Sequence, residues 1–268
     1  MADISKWSNL SRSLLLPLYF RAAETKRENP ILVDDKAEEI IKSLNFDFSM
    51  IDGYNIIQTA TVMRESVFDD LVKDFLAKNP ESVVINIGSG LDTRFFRLDN
   101  QKVIWYELDL PEVINVRKDI FRETSRYKFI SCSAFDEEWM KKIENKNLPV
   151  LLLAEGFLFY FSKDKAKKLI LDMKQNFPGA EFLFDAVTPF QAALSRLNPA
   201  LELMDVWFKW GLGCSEELAS WDSHIQTKDV VYYFNPSFER LGWYNWYCLL
   251  PAVRFGFYIV SCALGKND

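Results

Sequence analysis

Residues 82–87, Ser-Val-Val-Ile-Asn-Ile, run directly into the turn Gly88-Ser89-Gly90. A short, β-branched, apolar run is typical of a strand buried on both faces of a parallel sheet. Glycines at the end of such a strand let the backbone approach a ligand closely, because no Cβ intervenes. This feature favours an α/β fold in which the first core strand ends at a ligand-binding turn.

Further apolar runs alternate with helical patterns along the chain. The runs that we predict to be strands are residues 103–108, 128–132, 150–155 and 181–186. Strands that alternate with helices imply a parallel sheet with right-handed crossovers. A late run, residues 255–262, is expected to add an antiparallel C-terminal edge. The prediction is therefore a Rossmann-like, mostly parallel α/β sheet.

Composition and charge exclude several classes of protein. The net charge of −6 and pI of about 5.1 argue against a general nucleic-acid binder, which needs a basic surface. The four cysteines form no CxxC pair and the single histidine is His224, so neither a metal site nor a disulfide framework is predicted. No apolar run reaches the roughly 20 residues that span a bilayer. These features lead us to expect a cytoplasmic protein.

Two acidic residues follow the glycine turn at an informative spacing. Glu107 and Asp109 lie near the end of the second predicted strand, and Asp109 comes 19 positions after Gly90 (109 minus 90). An acid at about this distance is placed to accept hydrogen bonds from ribose hydroxyls. The alternative is that both are ordinary acids at a strand end. The combination favours a nucleoside ligand.

Two further positions bear on the kind of nucleoside. The third glycine of the dinucleotide fingerprint is replaced by Thr93, which argues against NAD. Glu155 ends the strongest apolar strand, at the edge of the sheet where α/β proteins bind ligands. A carboxylate there suits a cationic ammonium or sulfonium, unless it only forms a salt bridge.

Three segments resemble the motifs of a known family. Residues 86–98, 106–114 and 154–161 are similar, in this order, to motifs of the leucine carboxyl methyltransferase family, which includes protein phosphatase methyltransferases and tetracenomycin-type polyketide O-methyltransferases. The similarity extends over residues 61–168. The resemblance implies a class I methyltransferase sheet and S-adenosylmethionine as cofactor.

The resemblance also implies roles for single residues in cofactor binding. Gly88 and Gly90 would line the methionine part of S-adenosylmethionine. Asp109 would hold the ribose, with Glu107 as a weaker candidate. Glu155 would face the methionine end.

Other implied positions concern the acceptor and the adenine. Arg64 would lie near the carboxylate of the cofactor or of the acceptor, and a guanidinium suits that task because it grips a carboxylate bidentately. Tyr160 would lie near the acceptor. Where relatives carry Asp-Leu beside the adenine, this chain has Ser133-Ala134, so the carboxylate is lost. No catalytic residue is assigned, although a hydroxyl acceptor would call for a base and His224 is the one histidine.

We expect one methyltransferase domain in four parts. These are a helical N-terminal cap at residues 1–80, a cofactor-binding core at 81–188, an inserted helical lid at 189–240 and C-terminal strands at 241–268. The aromatic residues of the lid could cover an acceptor, pack on the sheet or form a dimer face. The oligomeric state stays open.

The function that we predict is O-methylation of a carboxylate or hydroxyl on a small, fairly apolar, polyketide-like acceptor. Phosphatase methylation is disfavoured because the N-terminal lysine of that branch has no match, Arg21 being the nearest basic residue. One alternative is a non-catalytic binding protein with a degenerate site, which the loss of the carboxylate at Ser133-Ala134 suggests. Another is an NAD-linked oxidoreductase, which Thr93 disfavours.

Overall fold

A computed structural model describes residues 14–44, 48, 55–197, 207–234 and 245–265 of the chain. The strands are β1 Val83–Ile87, β2 Ile104–Asp109, β3 Tyr127–Ser131, β4 Val150–Ala154, β5 Glu181–Val187, β6 Ile225–Tyr232 and β7 Phe257–Leu264. The helices are α1 Leu15–Thr25, α2 Asp35–Ser43, α3 Asn55–Lys78, α4 Arg94–Leu98, α5 Pro111–Ile120, α6 Glu138–Lys141, α7 Lys163–Asn176, α8 Pro189–Leu194, α9 Glu217–Trp221, α10 Asn245–Leu249 and α11 Pro251–Arg254.

The strands form one sheet in the order β3-β2-β1-β4-β5-β7-β6. Strands β1 to β5 are parallel, and β7 runs antiparallel to both β5 and β6. Every residue of β1 and β4 is buried, as expected for central strands with helices on both faces. The predicted core strands and the antiparallel edge are confirmed.

Two parts of the sequence-based prediction need correction. Residues 225–232 lie in the predicted helical lid, but they form the edge strand β6. Most of this strand faces solvent and carries polar side chains, so its hydrophobic pattern is weak. In the predicted C-terminal strand segment, helices α10 and α11 precede β7. The role of the remaining lid residues and the four-part division stay predictions.

The N-terminal helices pack against the sheet beside β1. Leu15 and Leu18 of α1 join Phe68 and Val72 of α3 in the core cluster that covers this face. Asp34 begins α2 by accepting a hydrogen bond from the Ala37 backbone N–H at 2.9 Å. Within the described ranges, no helix combines the length and apolarity needed to cross a bilayer.

Candidate active site

The carboxyl ends of the parallel strands gather the predicted site residues at one edge of the sheet. Gly88 follows β1, Asp109 ends β2 and Glu155 follows β4. Asp185, near the end of β5, lies at the same edge. Open α/β sheets bind ligands at this edge, because the strand order reverses there and opens a crevice between the loops.

The glycine turn is built from backbone that other residues rarely adopt. Gly88 and Gly90 have φ of +67° and +48°. A Cβ on Gly88 would lie 2.3 Å from a ring carbon of Phe157, so this glycine faces an aromatic ring of the same chain. Gly88 therefore has a packing reason to be glycine, in addition to any ligand. Its contact with the cofactor stays a prediction.

Asp109 lies directly beside the turn. Its Oδ2 accepts a hydrogen bond from the Gly90 N–H at 2.8 Å, and its Oδ1 accepts one from the Leu110 N–H at 2.7 Å. Burial raises the pKa of this carboxyl group, and both backbone N–H groups work against that rise. The side chain is half-buried, and each oxygen has a second lone pair with which it could bind a hydroxyl.

Glu107, the weaker ribose candidate from the sequence, does not lie at the surface of the site. It is completely buried, 3.0 Å from Arg117 Nη2, and it accepts a hydrogen bond from Asn86 Nδ2 at 3.0 Å. Burial raises the pKa of its carboxyl group to about 7, although Arg117 opposes the rise. Arg117 Nη1 also donates to the Gly90 carbonyl at 2.7 Å. The structure thus gives Glu107 a place beneath the turn and leaves Asp109 as the ribose candidate.

Arg64 and Glu155 are brought together, as the sequence predicted for one site. Arg64 Nε lies 2.8 Å from Glu155 Oε1, and Arg94 Nη2 lies 2.6 Å from Glu155 Oε2. Arg64 Nη1 lies 3.2 Å from Asp185 Oδ2. Burial by itself lowers the pKa of the Arg64 guanidinium, but Glu155 and Asp185 raise it above its usual value. Arg64 is therefore charged at every pH of interest.

Arg94 and Asp185 belong to this cluster but were missed from the sequence. Asp185 accepts a hydrogen bond from the Gly156 N–H at 2.7 Å, and burial raises its pKa to about 6. An aspartate that interrupts the apolar run 181–186 is a signal that could have found it. Arg94 had no comparable signal, because its partners lie far away in sequence.

A network of buried ion pairs connects the glycine turn to the N-terminal helices. Its pairs, with N–O distances of 2.7–2.9 Å, are Arg21–Asp34, Arg21–Glu65, Arg94–Asp69, Arg94–Asp92, Arg97–Asp34 and Arg97–Asp69. Arg21 Nη2 also donates to the Leu91 carbonyl at 2.8 Å. The turn is thus held from α1 and α3 as well as from the sheet.

The segment after β3 carries Ser133 and Ala134. Ser133 Oγ accepts a hydrogen bond from the Phe135 N–H at 3.3 Å, and the Ala134 carbonyl accepts one from Trp139 Nε1 at 3.0 Å. Phe135 in turn stacks on Phe157, with ring centroids 6.1 Å apart, so this segment adjoins the glycine turn. The predicted contact of Ser133 and Ala134 with the adenine stays a prediction.

Tyr160 lies in an aromatic cluster beside the charged residues. It packs against Phe208 and Phe159, with ring centroids 5.6 Å and 4.8 Å away. Val187 at the end of β5 belongs to the same cluster. Burial raises the pKa of Tyr160 to about 12, against the opposing charge of Arg64. Its hydroxyl is therefore neutral at physiological pH and can donate a hydrogen bond.

His224 lies at the opposite end of the strands, near the start of β5. It immediately precedes β6, whose first residue, Ile225, pairs with Leu264, and the neighbouring Ala263 pairs with Glu181 at the start of β5. Its Nδ1 lies 3.1 Å from Asp222 Oδ1. A role of His224 as a base for the acceptor is therefore not supported, because it lies where β5 begins and the candidate site residues lie where β5 ends.

The strand order and the glycine turn define a class I methyltransferase fold, and solved structures agree. A DUF574 family protein from Streptomyces avermitilis has a TM-score of 0.60 at 10% identity, over 95% of this chain and 97% of that chain. Magnesium protoporphyrin IX methyltransferase (ChlM) from Synechocystis PCC 6803, solved with bound SAH, has a TM-score of 0.51 at 11% identity, over 87% and 94%.

Sequence comparison gives the family. The sequence model of the leucine carboxyl methyltransferase family matches residues 15–174. The chain is 28% identical, over 82% of both chains, to the tetracenomycin polyketide synthesis O-methyltransferase TcmP of Streptomyces glaucescens. It is 24% identical to the S-adenosyl-L-methionine-dependent methyltransferase dpfgK of Gibberella zeae, over 87% of this chain and 85% of that one. The chain belongs to the leucine carboxyl methyltransferase family. It is an S-adenosylmethionine-dependent methyltransferase, as the sequence motifs predicted.

Proposed function

We propose that the protein transfers a methyl group from S-adenosylmethionine to an oxygen atom of a small, largely apolar acceptor. The observation that carries this proposal is that charged residues and aromatic residues lie near one another at the carboxyl ends of the parallel strands, close enough for the charge of Arg64 to influence the pKa of Tyr160. Arg64, Glu155 and Asp109 supply charges that suit the donor. Tyr160 and Phe208 supply an aromatic surface that suits the acceptor.

The charged residues fit the separate parts of the donor. Asp109, half-buried beside Gly90, has lone pairs for ribose hydroxyls. Glu155 suits the cationic groups, since a carboxylate favours a nearby positive charge. Arg64 suits the carboxylate of the amino-acid end, because a guanidinium binds carboxylates through paired N–H groups. When bound, S-adenosylmethionine supplies a methyl group on a positively charged sulfur.

The protein's own contribution is to position the acceptor and exclude water. Transfer to an oxygen needs the acceptor held in line with the methyl group, and proximity alone supplies much of the rate. The rings of Phe159, Tyr160 and Phe208 form an apolar wall, which keeps water away from the reacting atoms. His224 lies at the opposite end of the strands, so it is not placed to act as a base for the acceptor. We therefore propose an acceptor that ionises unaided, namely a carboxylate or an acidic phenol.

The relative in Streptomyces glaucescens is named for tetracenomycin polyketide synthesis. Polyketides of aromatic type carry both carboxylates and phenols on apolar rings. We therefore include such molecules among the proposed acceptors, and we prefer the carboxylate because it needs no base.

The test is methyl transfer from labelled S-adenosylmethionine to matched acceptors. Hydroxylated aromatic acids are compared with their ethyl esters, which keep the phenol and lose the carboxylate. Methylation of the acids alone, giving a base-labile methyl ester, supports carboxylate transfer. Equal methylation of both, giving a base-stable ether, supports the phenol. Calorimetric titration that showed no binding of S-adenosylhomocysteine would contradict the proposed donor site.

A further inference from the structure

Asp185 is a buried carboxylate whose two oxygens both contact other parts of the site. Its exposed fraction is 1%. Oδ1 accepts the Gly156 N–H at 2.7 Å, and Oδ2 lies 3.2 Å from Arg64 Nη1. A charge buried to this degree is costly unless it is paired, so both contacts matter to Asp185 itself. Through these contacts, Asp185 at the end of β5 fixes the Gly156 backbone after β4 and the guanidinium group of Arg64.

Arg64 is consequently held on two sides and open on the third. Glu155 engages Nε and Asp185 engages Nη1. Among the described residues, Nη2 has neither a hydrogen-bond acceptor nor a carboxylate within ion-pair distance, whereas Nη1 has its ion pair with Asp185. A Cβ on Gly156 would lie 3.5 Å from this nitrogen, and Gly156 has a φ of +60°. The guanidinium is planar and rigid, so fixing two of its nitrogens also fixes the direction of the third.

We propose that Asp185 is a positioning residue for donor binding, which aims Arg64 Nη2 at the carboxylate of the donor's amino-acid end. The inference rests on the proposed role of Arg64 in holding that carboxylate. Asp185 does not touch the donor and acts through Arg64. Gly156, held by the same aspartate, keeps the space beside Nη2 free of a side chain.

The test compares two ligands that differ only at the amino-acid end. S-adenosylhomocysteine has this end, whereas 5′-methylthioadenosine keeps the adenosine and the thioether but has neither the carboxylate nor the ammonium group. The ratio of their dissociation constants reports what the protein gains from that end. The protein with Asp185 should prefer S-adenosylhomocysteine, and Asp185→Asn should reduce the preference about tenfold, as expected when an ion pair within a coupled charge network is lost.

The substitution is chosen to separate the two contacts of Asp185. Asparagine keeps a carbonyl oxygen that can accept the Gly156 N–H, but it carries no charge for Arg64. Binding of 5′-methylthioadenosine should therefore stay unchanged. If Asp185→Asn does not fold, Asp185→Glu replaces it, since the longer side chain displaces the charge and should also lower the preference.

A double-mutant cycle separates positioning from a general structural effect. Arg64→Gln should lower the preference at least as much as Asp185→Asn does, leaving only the part that the ammonium group contributes. Adding Asp185→Asn to Arg64→Gln should change it no further, because Asp185 acts only through Arg64. Equal weakening of both ligands by Asp185→Asn, an unchanged ratio, or tighter binding of S-adenosylhomocysteine would overturn the inference. So would a wild-type protein that binds the two ligands equally. In each of these cases the donor still binds, whereas a failure of the proposed function would abolish its binding.

Discussion

The site has a charged half, centred on Arg64, Arg94 and Glu155, and an aromatic half, formed by Phe159, Tyr160 and Phe208. The two halves are built in different ways. Around β1, β2 and α3, guanidinium groups are nearly or completely buried, as Arg21, Arg94 and Arg117 show, and each meets a carboxylate within 3.0 Å. Around the end of β5, Phe208 is half-buried and Phe190 is 56% exposed. The charged half is held by pairs that depend on one another, whereas the aromatic half is held by ring contacts.

This difference bears on which half can vary. Removing one member of a buried ion pair leaves an uncompensated charge, which is strongly destabilising. Truncating a half-buried ring loses only contact area, and the surrounding structure can partly collapse. We therefore expect the charged half to tolerate little change and the aromatic half to tolerate substitutions that alter the acceptor.

The largest expected effect is on the charged half. Arg94→Ala should lower the free energy of unfolding by about 3–5 kcal/mol, because it leaves Asp69, Asp92 and Glu155 without their common partner. Urea unfolding measures this change. The matched control is Lys73→Ala, which removes an exposed pair with Asp70 and should cost less than about 1 kcal/mol. A similar small loss for Arg94→Ala would show that the network is dispensable.

A smaller effect is expected for donor binding. Asp109→Ala should weaken the binding of S-adenosylhomocysteine by about 1–3 kcal/mol, the range for hydrogen bonds to a charged group. Isothermal titration calorimetry measures the affinity. Glu112→Ala, in the exposed first turn of α5, serves as the control and should leave it unchanged. Unchanged affinity in a folded Asp109→Ala protein would remove Asp109 from the site.

The sequence predicted those parts of the site that local patterns determine. Strand ends follow from apolar runs, so the positions of Asp109 and Glu155 at one edge were predicted correctly. The buried pairs could not be predicted, because Arg94 and Glu155 lie 61 residues apart and meet only in the folded chain. The position of His224 depends on the pairing of β6 with β7, and β6 itself has too weak a pattern to be recognised.

The pH dependence of stability tests whether Glu107, which is buried beneath the glycine turn, carries a proton in the folded protein. Burial raises the pKa of Glu107 from 4.5 to about 7. Between about pH 4.5 and pH 7, Glu107 therefore keeps its proton in the folded protein and loses it in the unfolded chain. The contribution of Glu107 to the free energy of unfolding is fully present below about pH 4.5 and is lost as the pH rises to about 7. The glutamine of Glu107→Gln does not titrate in this pH range, so this contribution to the pH dependence of stability is absent from the variant.

From pH 5 to 8, the wild-type protein should lose stability relative to Glu107→Gln, by about 1.4 kcal/mol for each unit of pKa shift. Thermal or urea unfolding at both pH values measures the difference. Glu112→Gln, at an exposed position, should run parallel to the wild type. Parallel curves for Glu107→Gln as well would show that Glu107 is not protonated in this range.

The smallest expected effect on donor binding comes from the aromatic half. Phe208→Ala removes a ring that packs on Phe159 and Tyr160, with ring centroids 4.4 Å and 5.6 Å away. Affinity for S-adenosylhomocysteine should change by less than about twofold, since substitutions without shared partners act independently. The KM for an aromatic acceptor should rise, because part of the apolar wall is gone. Phe190→Ala, at an exposed position, should change neither value. If Phe208→Ala weakens donor binding as much as Asp109→Ala does, the two halves are coupled, and the acceptor cannot vary independently of the donor site.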